Sequence, residues 1–590
     1  MKKILAPIIA GPWKHQWALV GSLATIAFVL GLAGLYKLKV QTGRLDELSW
    51  PDAIYFSLRL FGFNYDLGGG GPDPYAAGNW QLWVARFLAP ASTALAVFKA
   101  VASSAASRVE RWRISRWKDH AIVCGAGERG HHLALSLRKQ GKNVVVIDKQ
   151  EDIDTLNELR THGVLTIRGN ATEPEILAAA NVERAEVVVA LTPSVEANLE
   201  VVLAASRRTN GTPGQAFAYA PRSFASIFEG QEPFRRDESD VTKQSLKCGF
   251  FRSLISVLWE TTSDVRKQSV ECGFFNHNAT AARVLVREHA PDLGPTLFRE
   301  QRGARILVAG DGEILPELLG VLIAQCQFTG PYLPRITLLT VDKETIAQGF
   351  PIDHPQMTLV VDLKTEPMSI SQMLRVSVES LATQPFDLVF VACREDGDTL
   401  TVATNFAQQE TLVRNNVIAG LAPSTRLKEK VDQCFKNTQP LESVTLYNLL
   451  TLGCEASHVV QPVLDDRARE MHKQYFEKQQ QNGEKKGSSM AMHPWEALRG
   501  DFRESNRSAA DHIAIKTRIL QLSQSQQTIE LLAEAEHRRW MAQRIVSGWR
   551  HADKREDKKR LTPNFVPYAD LSDREREKDR NNVRDAIAGR

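Results

Sequence analysis

Three glycines lie close together between an apolar run and a helical segment. They occupy the first, third and sixth positions of Gly125-Ala126-Gly127-Glu128-Arg129-Gly130. The first glycine of such a motif permits a tight turn, the second lets the backbone approach a pyrophosphate, and the third lets the following helix pack close to the preceding strand. The free N–H groups at the start of that helix attract phosphate. We therefore predict a nucleotide phosphate at this turn, with Glu128 and Arg129 beside it.

The segments around the turn are typical of a dinucleotide-binding fold. Ala121–Cys124 is an apolar strand, His132–Gln140 is helical, and Asn143–Asp148 is a second apolar strand that ends in an acid. Asp148 follows Gly130 by about 20 residues, where a carboxylate accepts hydrogen bonds from a ribose 2′-hydroxyl and repels a 2′-phosphate. The pattern predicts NAD(H) or another adenine nucleotide rather than NADP(H). The alternative is a domain of this fold whose glycines serve packing alone.

Two further turns carry small polar residues. One is Gly169-Asn170-Ala171-Thr172, and Thr192 follows the apolar strand Glu186–Leu191. From Lys118 to Ser206 the sequence resembles the Trk-type N-terminal domain of the RCK family, the regulators of potassium conductance. The resemblance implies nucleotide contacts from Asn170, Ala171, Thr172 and Thr192. It also implies nucleotide-controlled gating of an attached or partner pore.

The N-terminal part of the chain has two segments apolar enough for a membrane. Trp17–Tyr36 is an uncharged run of about 20 residues, long enough to cross a bilayer as a helix. Trp80–Ala102 is a second candidate, although it contains Arg86; the alternatives are a signal peptide or buried helix for the first run and an amphipathic surface helix for the second. The basic cluster Arg108–Lys118 and the N-terminal lysines indicate the cytosolic side. We predict a multi-pass protein of the cell inner (plasma) membrane with both termini cytoplasmic.

The segment between the two spans is too apolar for a simple loop. Pro51 and Asp52 suit the first turn of a short helix, and a glycine-containing extended stretch is expected after it. Helix, short re-entrant helix, extended stretch and helix resemble the pore of two-span potassium channels. The resemblance implies a pore at Leu60, Phe61, Gly62, Phe63 and Asn64. Leu60 replaces the family's threonine and Arg59 adds a positive charge, which leaves potassium selectivity open. The alternative is a membrane anchor with a packed extracellular loop.

A short repeat precedes a second strand-turn-helix pattern. Lys243–Phe251 recurs as Lys267–Phe275, which we interpret as a small duplication inside a connecting segment. Arg305–Ala309 then begins a strand whose turn, Gly310–Leu315, lacks the third glycine and carries acids that would repel phosphate. We therefore predict a second, degenerate Rossmann/RCK-like domain with a structural role.

The last hundred residues carry a pattern of aromatic and charged side chains. Leu532–Trp540 is helical, Ser547-Gly548-Trp549 follows, and Asn564–Tyr568 comes after a charged turn. From about residue 490 the sequence resembles the repeat domain of ryanodine receptors (RyR). The resemblance implies a small-ligand pocket, with stacking faces from the aromatic rings and phosphate partners from the arginines. The predicted ligand-binding residues are His537, Arg538, Trp540, Arg544, Trp549 and Tyr568. The alternative is that the aromatics are core anchors of a small helical domain and the arginines form a solvated face.

The predicted fold class is a two-helix, pore-like membrane region, α/β Rossmann-like RCK domains and a small, mostly α RyR-type domain. The predicted segments are residues 1–104 (membrane region), 118–210 (first Rossmann/RCK domain), 211–300 (connecting segment), 301–465 (second domain), 466–490 (linker, or alternatively a solvent-exposed helix) and 491–590 (RyR-type domain).

Composition narrows the function classes. The formal net charge of +4 argues against a nucleic-acid partner, and seven cysteines without a CxxC pair fit a reduced cytosol without a zinc ribbon. We find no catalytic set and predict no metal, so the expected protein is not an enzyme. We predict a ligand-gated, potassium-like cation channel subunit that forms a homotetramer in lipid and binds a small nucleotide-type ligand and a monovalent cation. The alternatives are a non-conducting membrane-anchored nucleotide sensor or transporter subunit, and a membrane-anchored NAD-dependent enzyme.

Overall fold

A computed structural model gives the arrangement of the chain. It describes residues 13–42, 49–62, 79–149, 153–208, 215–220, 271–342, 349–376, 381, 384–409, 414, 417–421, 443–460 and 463–587. The chain divides into two compact units, Met1–Arg113 and Ile114–Arg590.

The described part of the first unit contains two long helices and a short one. Helix α1 is Trp13–Thr42, α2 is Trp50–Arg59, and α3 is Trp80–Arg116, which continues past the unit boundary. Val20–Leu38 and Trp80–Ala100 are long and apolar enough to cross a membrane. The predicted order of helix, short helix and helix is confirmed.

The short helix begins with a capping box. The Ser49 hydroxyl accepts a hydrogen bond from the Asp52 backbone N–H, and the Asp52 carboxylate accepts one from the Ser49 N–H. After α2, Leu60–Gly62 forms a 3₁₀ turn, which differs from the extended backbone that the sequence predicts. The reason is burial, because Leu60 packs into a cluster with Ala27 of α1 and with two alanines of α3. Phe63 and Asn64 lie outside the described residues.

The second unit contains two six-stranded parallel sheets. The first has the order β3-β2-β1-β4-β5-β6, and the second has the order β12-β11-β10-β7-β8-β9. Counted from its own first strand, each sheet has the order 3-2-1-4-5-6, which is the doubly wound Rossmann arrangement. The predicted Rossmann-like class is therefore confirmed for both. The strands are β1 (His120–Cys124), β2 (Val144–Asp148), β3 (Leu165–Arg168), β4 (Ala185–Ala190), β5 (Gln215–Tyr219), β6 (Glu271–Phe275), β7 (Arg305–Gly310), β8 (Arg335–Thr340), β9 (Asp362–Pro367), β10 (Leu388–Ala392), β11 (Val417–Leu421) and β12 (Val444–Asn448).

Helices cover these sheets and connect their strands. Both sheets have almost fully buried central strands, as expected when helices cover the two faces of a parallel sheet. The helices are α4 (Glu128–Lys139), α5 (Ile153–Thr161), α6 (Pro174–Ala179), α7 (Val195–Arg208), α8 (His277–His289), α9 (Gly294–Glu300), α10 (Leu315–Gln325), α11 (Phe350–Asp353), α12 (Ile370–Met373), α13 (Asp396–Ala407), α14 (Leu449–Cys454) and α15 (Ala456–Val459).

The first sheet includes residues that the sequence analysis assigns to the connecting segment. Strands β5 and β6 both come from residues 211–300, and Gln215 lies opposite Glu271 in their parallel pairing. The second copy of the repeat ends in β6, whereas the first copy, Lys243–Phe251, lies outside the described residues. The two strands were not predicted because they are far apart in sequence and β6 begins with Glu271-Cys272-Gly273 rather than an apolar run.

The C-terminal region is a helical module packed on the second sheet's helices. It contains α16 (Asp466–Gln481), α17 (Gly500–Leu520), α18 (Gln526–Val546), α19 (Asp573–Ile587) and the short strands β13 (Arg550–His551) and β14 (Leu561–Thr562). Both α17 and α18 contact α10, and one apolar cluster runs through all three helices. The predicted linker residues include α16, whose Ala468 and His472 are buried. We refer to residues 466–587 as the C-terminal module.

Candidate nucleotide site

The glycine turn after β1 has the geometry that a bound phosphate requires. Gly125 has a φ of +110°, and its own N–H donates to the Ile147 carbonyl of β2. A Cβ on Gly130 would lie 1.8 Å from the Gly125 carbonyl oxygen, so this glycine is needed for the contact between helix and turn. A Cβ on Gly127 would meet nothing within 4 Å. Gly127 caps α4 and leaves open space in front of the helix N-terminus.

Asp148 is tied to the same turn. Its Oδ2 accepts a hydrogen bond from the Ala126 N–H at 2.5 Å. The carboxylate therefore stands at the end of β2 beside the glycine turn, where the sequence places a ribose partner.

The next two turns complete this side of the site. The Asn170 side chain accepts a hydrogen bond from the Thr172 N–H at 3.2 Å, and Ala171 is buried in the core below. Thr192 is held by the buried Asn198, whose Oδ1 accepts from both the N–H and the hydroxyl of Thr192 at 2.8 Å. These contacts fix the turns after β3 and β4 at the carboxyl edge of the first sheet.

A cavity of about 840 Å³ lies over this edge, large enough for a nucleotide. The structure brings nine of the ten predicted cofactor residues to its wall. They are Gly125, Gly127, Glu128, Arg129, Asp148, Asn170, Ala171, Thr172 and Thr192. Gly130 lies behind the turn and packs against the Gly125 carbonyl. Their role in binding stays a prediction.

The opposite wall of the cavity comes from the second sheet's domain, which the sequence analysis assigns a structural role. His277 and Asn278 begin α8, Gly312 and Glu313 belong to the turn after β7, and Arg394 follows β10. Both sheets thus turn their carboxyl edges toward one cavity. The signal in the sequence was the repeated pattern: Gly310 and Gly312 occupy the positions after β7 that Gly125 and Gly127 occupy after β1.

The acids of the second turn have a partner inside the protein. The Asp311 carboxylate accepts a hydrogen bond from the Arg394 N–H at 3.0 Å, and the Arg394 guanidinium lies 3.8 Å from it. The negative charge of Asp311 is therefore partly offset by its own domain. This reduces the repulsion of phosphate that the sequence predicts for this turn.

Three side chains meet where the two domains face each other. The Arg129 guanidinium lies 4.3 Å from the ring centre of Tyr219, and the Tyr219 ring contacts His277 at 5.5 Å. Burial, and then the nearby Arg129 charge, lower the pKa of His277 to about 3. His277 is therefore neutral at pH 7. Its Nδ1 is buried and has no hydrogen-bond partner among the described residues.

This histidine predicts a measurable acid sensitivity. Between pH 3 and 6.5, His277 is protonated in the unfolded chain and neutral in the folded chain. The free energy of unfolding therefore falls as the pH falls through this window. At pH 5 the contribution amounts to roughly 2 kcal/mol. We expect the midpoint of thermal unfolding, followed by intrinsic fluorescence, to fall more between pH 7 and pH 5 for the wild type than for His277→Gln. Equal acid shifts in the two proteins would contradict this assignment.

Two protein-family models match the chain, one over the first sheet and one over the C-terminal module. Residues 121–222 match the TrkA-N domain, and residues 512–589 match the RyR domain. The chain contains a TrkA-N domain and a RyR domain. The glycine turn and Asp148 thus lie within the TrkA-N domain, and the six predicted C-terminal ligand residues lie within the RyR domain.

Two curated relatives match a short part of the chain. A Trk system potassium uptake protein TrkA homolog of Archaeoglobus fulgidus is 40% identical over 86 residues, which cover 15% of this chain and 19% of the relative. An uncharacterized protein of Methanothermus fervidus is 31% identical over 93 residues, covering 16% of this chain and 15% of the relative. The chain therefore spans less than a fifth of the length of either relative.

Solved structures of GsuK resemble the chain loosely. GsuK bound to ADP has a TM-score of 0.36 and 14% identity, covering 75% of this chain and 96% of that one. The GsuK channel bound to NAD has a TM-score of 0.35 and 13% identity, covering 76% and 84%.

Within the RyR domain, the predicted ligand residues separate into three places. His537, Trp540 and Tyr568 form one aromatic group, with the His537 and Trp540 rings stacked at 5.9 Å. The half-buried Trp540 and Tyr568 are the members of this group that reach the surface. A ligand at this group therefore stays a prediction.

The other three residues are engaged inside the protein. Arg544 lies over the ring of Trp549 at 4.6 Å, and the Trp549 indole N–H donates to Asp501 at 2.8 Å. Arg538 donates to the Thr329 carbonyl at 2.6 Å and so connects α18 to the second sheet's domain. All three side chains are buried. The burial of Trp549 favours the alternative in which the aromatics are core anchors. The same alternative expects the arginines on a solvated face, whereas Arg538 and Arg544 are buried.

Proposed function

We propose that this chain is a subunit of a potassium-like cation channel that is gated by NAD(H) or an adenine nucleotide. The observation that carries the proposal is the cavity between the two carboxyl edges, with the glycine turn on one wall and a second domain on the other. A ligand that contacts both walls binds the closed cleft more tightly than the open one. Such a difference in affinity is what a gating ligand requires.

Two further features support this function. The relative from Archaeoglobus is named for potassium uptake, and the TrkA-N domain of this chain forms the wall that carries the glycine turn. The two membrane-length helices provide a candidate conducting part. We propose that both termini are cytoplasmic, that four copies surround the pore in the inner membrane, and that the RyR domain binds a second small ligand.

The TrkA-N domain also holds the end of the second long helix. The Asn181 side chain donates to the Ile114 carbonyl at 3.2 Å and to the Trp117 carbonyl at 2.9 Å. Asn181 precedes β4, whose carboxyl end lines the cavity. Movement of this domain on ligand binding would therefore pull on the end of α3, which begins at Trp80.

Ion flux in liposomes tests the proposal. We expect purified full-length protein to release potassium when NAD, NADH, ADP or ATP is added, and to release much less without nucleotide. Liposomes without protein and liposomes with nucleotide but heat-denatured protein are the controls. Nucleotide binding without flux under any condition would overturn the channel function.

Nucleotide binding without flux is the result expected of the other candidate function, a non-conducting membrane-anchored sensor or transporter subunit. One observation favours it. Leu60–Gly62 is a 3₁₀ turn with a buried Leu60, rather than an extended row of carbonyl groups that could bind an ion.

A further inference from the structure

A second cavity of about 630 Å³ lies at the opposite edge of the second sheet. Three strands begin at its wall, and their first residues are all charged: Arg305 of β7, Arg335 of β8 and Asp362 of β9. In the sheet Arg305 is opposite Arg335, and Arg335 is opposite Asp362. Arg302, just before β7, adds a third guanidinium. The amino ends of these strands thus form a basic pocket away from the first cavity.

The three arginines differ in how well they are neutralised. Arg302 makes two hydrogen bonds to the Asp387 carboxylate, at 2.6 and 2.7 Å, and a third to Glu300. Arg335 lies 3.5 Å from Asp362, and both side chains are about two-thirds exposed, at 68% and 65%. Such exposed pairs contribute little, so Arg335 can turn toward a ligand.

Arg305 is the least satisfied of the three. Its Nη1 is buried and has no hydrogen-bond partner in the part of the chain that the structure describes. The Asp387 carboxylate accepts from the Arg305 backbone N–H and is already bound by Arg302. Burial, and then the Arg302 charge, lower the pKa of Arg305. The Arg305 side chain nevertheless lines the cavity, so an anion there would lie beside its guanidinium charge.

We propose that this cavity binds a phosphate-bearing small molecule through Arg305 and Arg335. The remaining wall is suited to an organic group attached to the phosphate. Tyr332 presents a ring that is 37% exposed, and Leu333, Val361 and Leu363 are apolar neighbours. The shared chemistry is a phosphate group, carried either by inorganic phosphate or by a nucleoside monophosphate whose base stacks on Tyr332.

Both walls of this cavity belong to segments that hold the C-terminal module. On one side the Gly330 N–H donates to the Leu531 carbonyl of α18 at 3.0 Å. On the other side the Gln356 side chain accepts from the His551 N–H at 3.0 Å, and His354 lies 3.1 Å from the Ile545 carbonyl. A ligand bound between these segments would therefore affect the C-terminal module as well as the second sheet.

Hydrogen–deuterium exchange of the full-length protein in detergent tests this site. The background carries Gly127→Asp, so that a nucleotide effect at the first cavity is separated from this one. Inorganic phosphate or AMP, added at constant ionic strength against potassium chloride, is expected to slow exchange in peptides covering residues 330–335 and 358–363. Arg305→Gln and Arg335→Gln are each expected to raise the apparent Kd at least about tenfold, since each removes a charged hydrogen bond.

The matched control is Arg518→Gln, which removes another exposed arginine paired with an exposed acid, Asp292. It is expected to leave the Kd unchanged. If AMP binds more tightly than phosphate and Tyr332→Ala removes that advantage, the ligand is a nucleotide; equal affinities identify the simple anion. Protection by neither probe, or protection that survives the Arg305→Gln/Arg335→Gln double variant, would overturn the site.

Discussion

The Gly127→Asp variant is expected to bind NADH or ADP at least about 100-fold more weakly than the wild type while keeping its fold. A Cβ at residue 127 would have no atom within 4 Å, so the side chain enters open space. Aspartate is also a favourable N-cap residue, which protects α4 from destabilisation. Its carboxylate would stand where the nucleotide phosphate is proposed. Two like charges about 4 Å apart repel by roughly 4 kcal/mol at the effective dielectric of a protein surface.

Isothermal titration calorimetry on the full-length protein measures this loss. Gln140→Glu is the matched control, because it adds one negative charge at the other end of the same helix and is expected to leave the Kd nearly unchanged. Gly127→Ala adds a methyl group without charge and should fall between the two. An unchanged Kd in Gly127→Asp would mean that the nucleotide does not lie on this turn, whatever the flux experiment shows.

Gly130 shows why the position of the substitution matters. A Cβ there would lie 1.8 Å from the Gly125 carbonyl oxygen, so Gly130→Ala must displace α4 or the turn. Loss of binding in that variant would report damage to the fold. A substitution at Gly127 tests ligand binding without disturbing the fold, whereas a substitution at Gly130 disturbs the fold itself. The two glycines nevertheless belong to one motif.

The first wall of the cavity could be predicted from sequence because it is local. It consists of a strand, a glycine turn, a helix and a strand ending in Asp148, which follow each other without interruption. At each key position a physical requirement of the fold or of the nucleotide explains the residue type. The second wall could not be predicted in this way. Whether His277 and Arg394 face Gly127 depends on how two domains pack, and no local pattern encodes that arrangement.

The acids of the second turn illustrate the same limit. Asp311 and Glu313 predict repulsion of phosphate when they are considered alone. In the structure, Asp311 accepts a hydrogen bond from the Arg394 backbone, and Arg394 lies in the turn after β10, far along the chain. Likewise, Arg538 was predicted as a ligand residue from its pattern, and its contact with Thr329 lies in another domain. Hydrogen bonds between residues far apart in the sequence decide both cases.

The Glu536→Gln variant is expected to destabilise the C-terminal module by about 3–5 kcal/mol, the cost of breaking a buried ion pair. Glu536 is 1% exposed, and its carboxylate lies 2.7 Å from the Lys516 ammonium and 2.8 Å from the Arg539 guanidinium. His512 approaches the same carboxylate at 3.8 Å. The two neighbouring cations hold the pKa of Glu536 well below its ordinary value, although burial alone would raise it. Glutamine keeps the shape and leaves two buried cations without their shared anion.

Thermal unfolding of the full-length protein, followed by tryptophan fluorescence, measures this effect. Trp540 and Trp549, two of the eleven tryptophans, lie in or beside α18, so the part of the emission that they contribute follows the module. With roughly 4 °C per kcal/mol for a domain of about 120 residues, the module's midpoint should fall by about 15 °C. Lys516→Met should cost less, because Glu536 keeps both hydrogen bonds from Arg539.

The control uses a pair with the same chemistry at the surface. Lys559 and Glu556 are also 2.7 Å apart, but their side chains are 70% and 48% exposed. Glu556→Gln should therefore cost less than about 1 kcal/mol, because water and salt already screen that pair. A similar loss in both variants would show that burial is not what makes Glu536 important. A large loss in Glu536→Gln alone would show that one carboxylate joins α17 to α18, the helix that Arg538 attaches to the second sheet's domain.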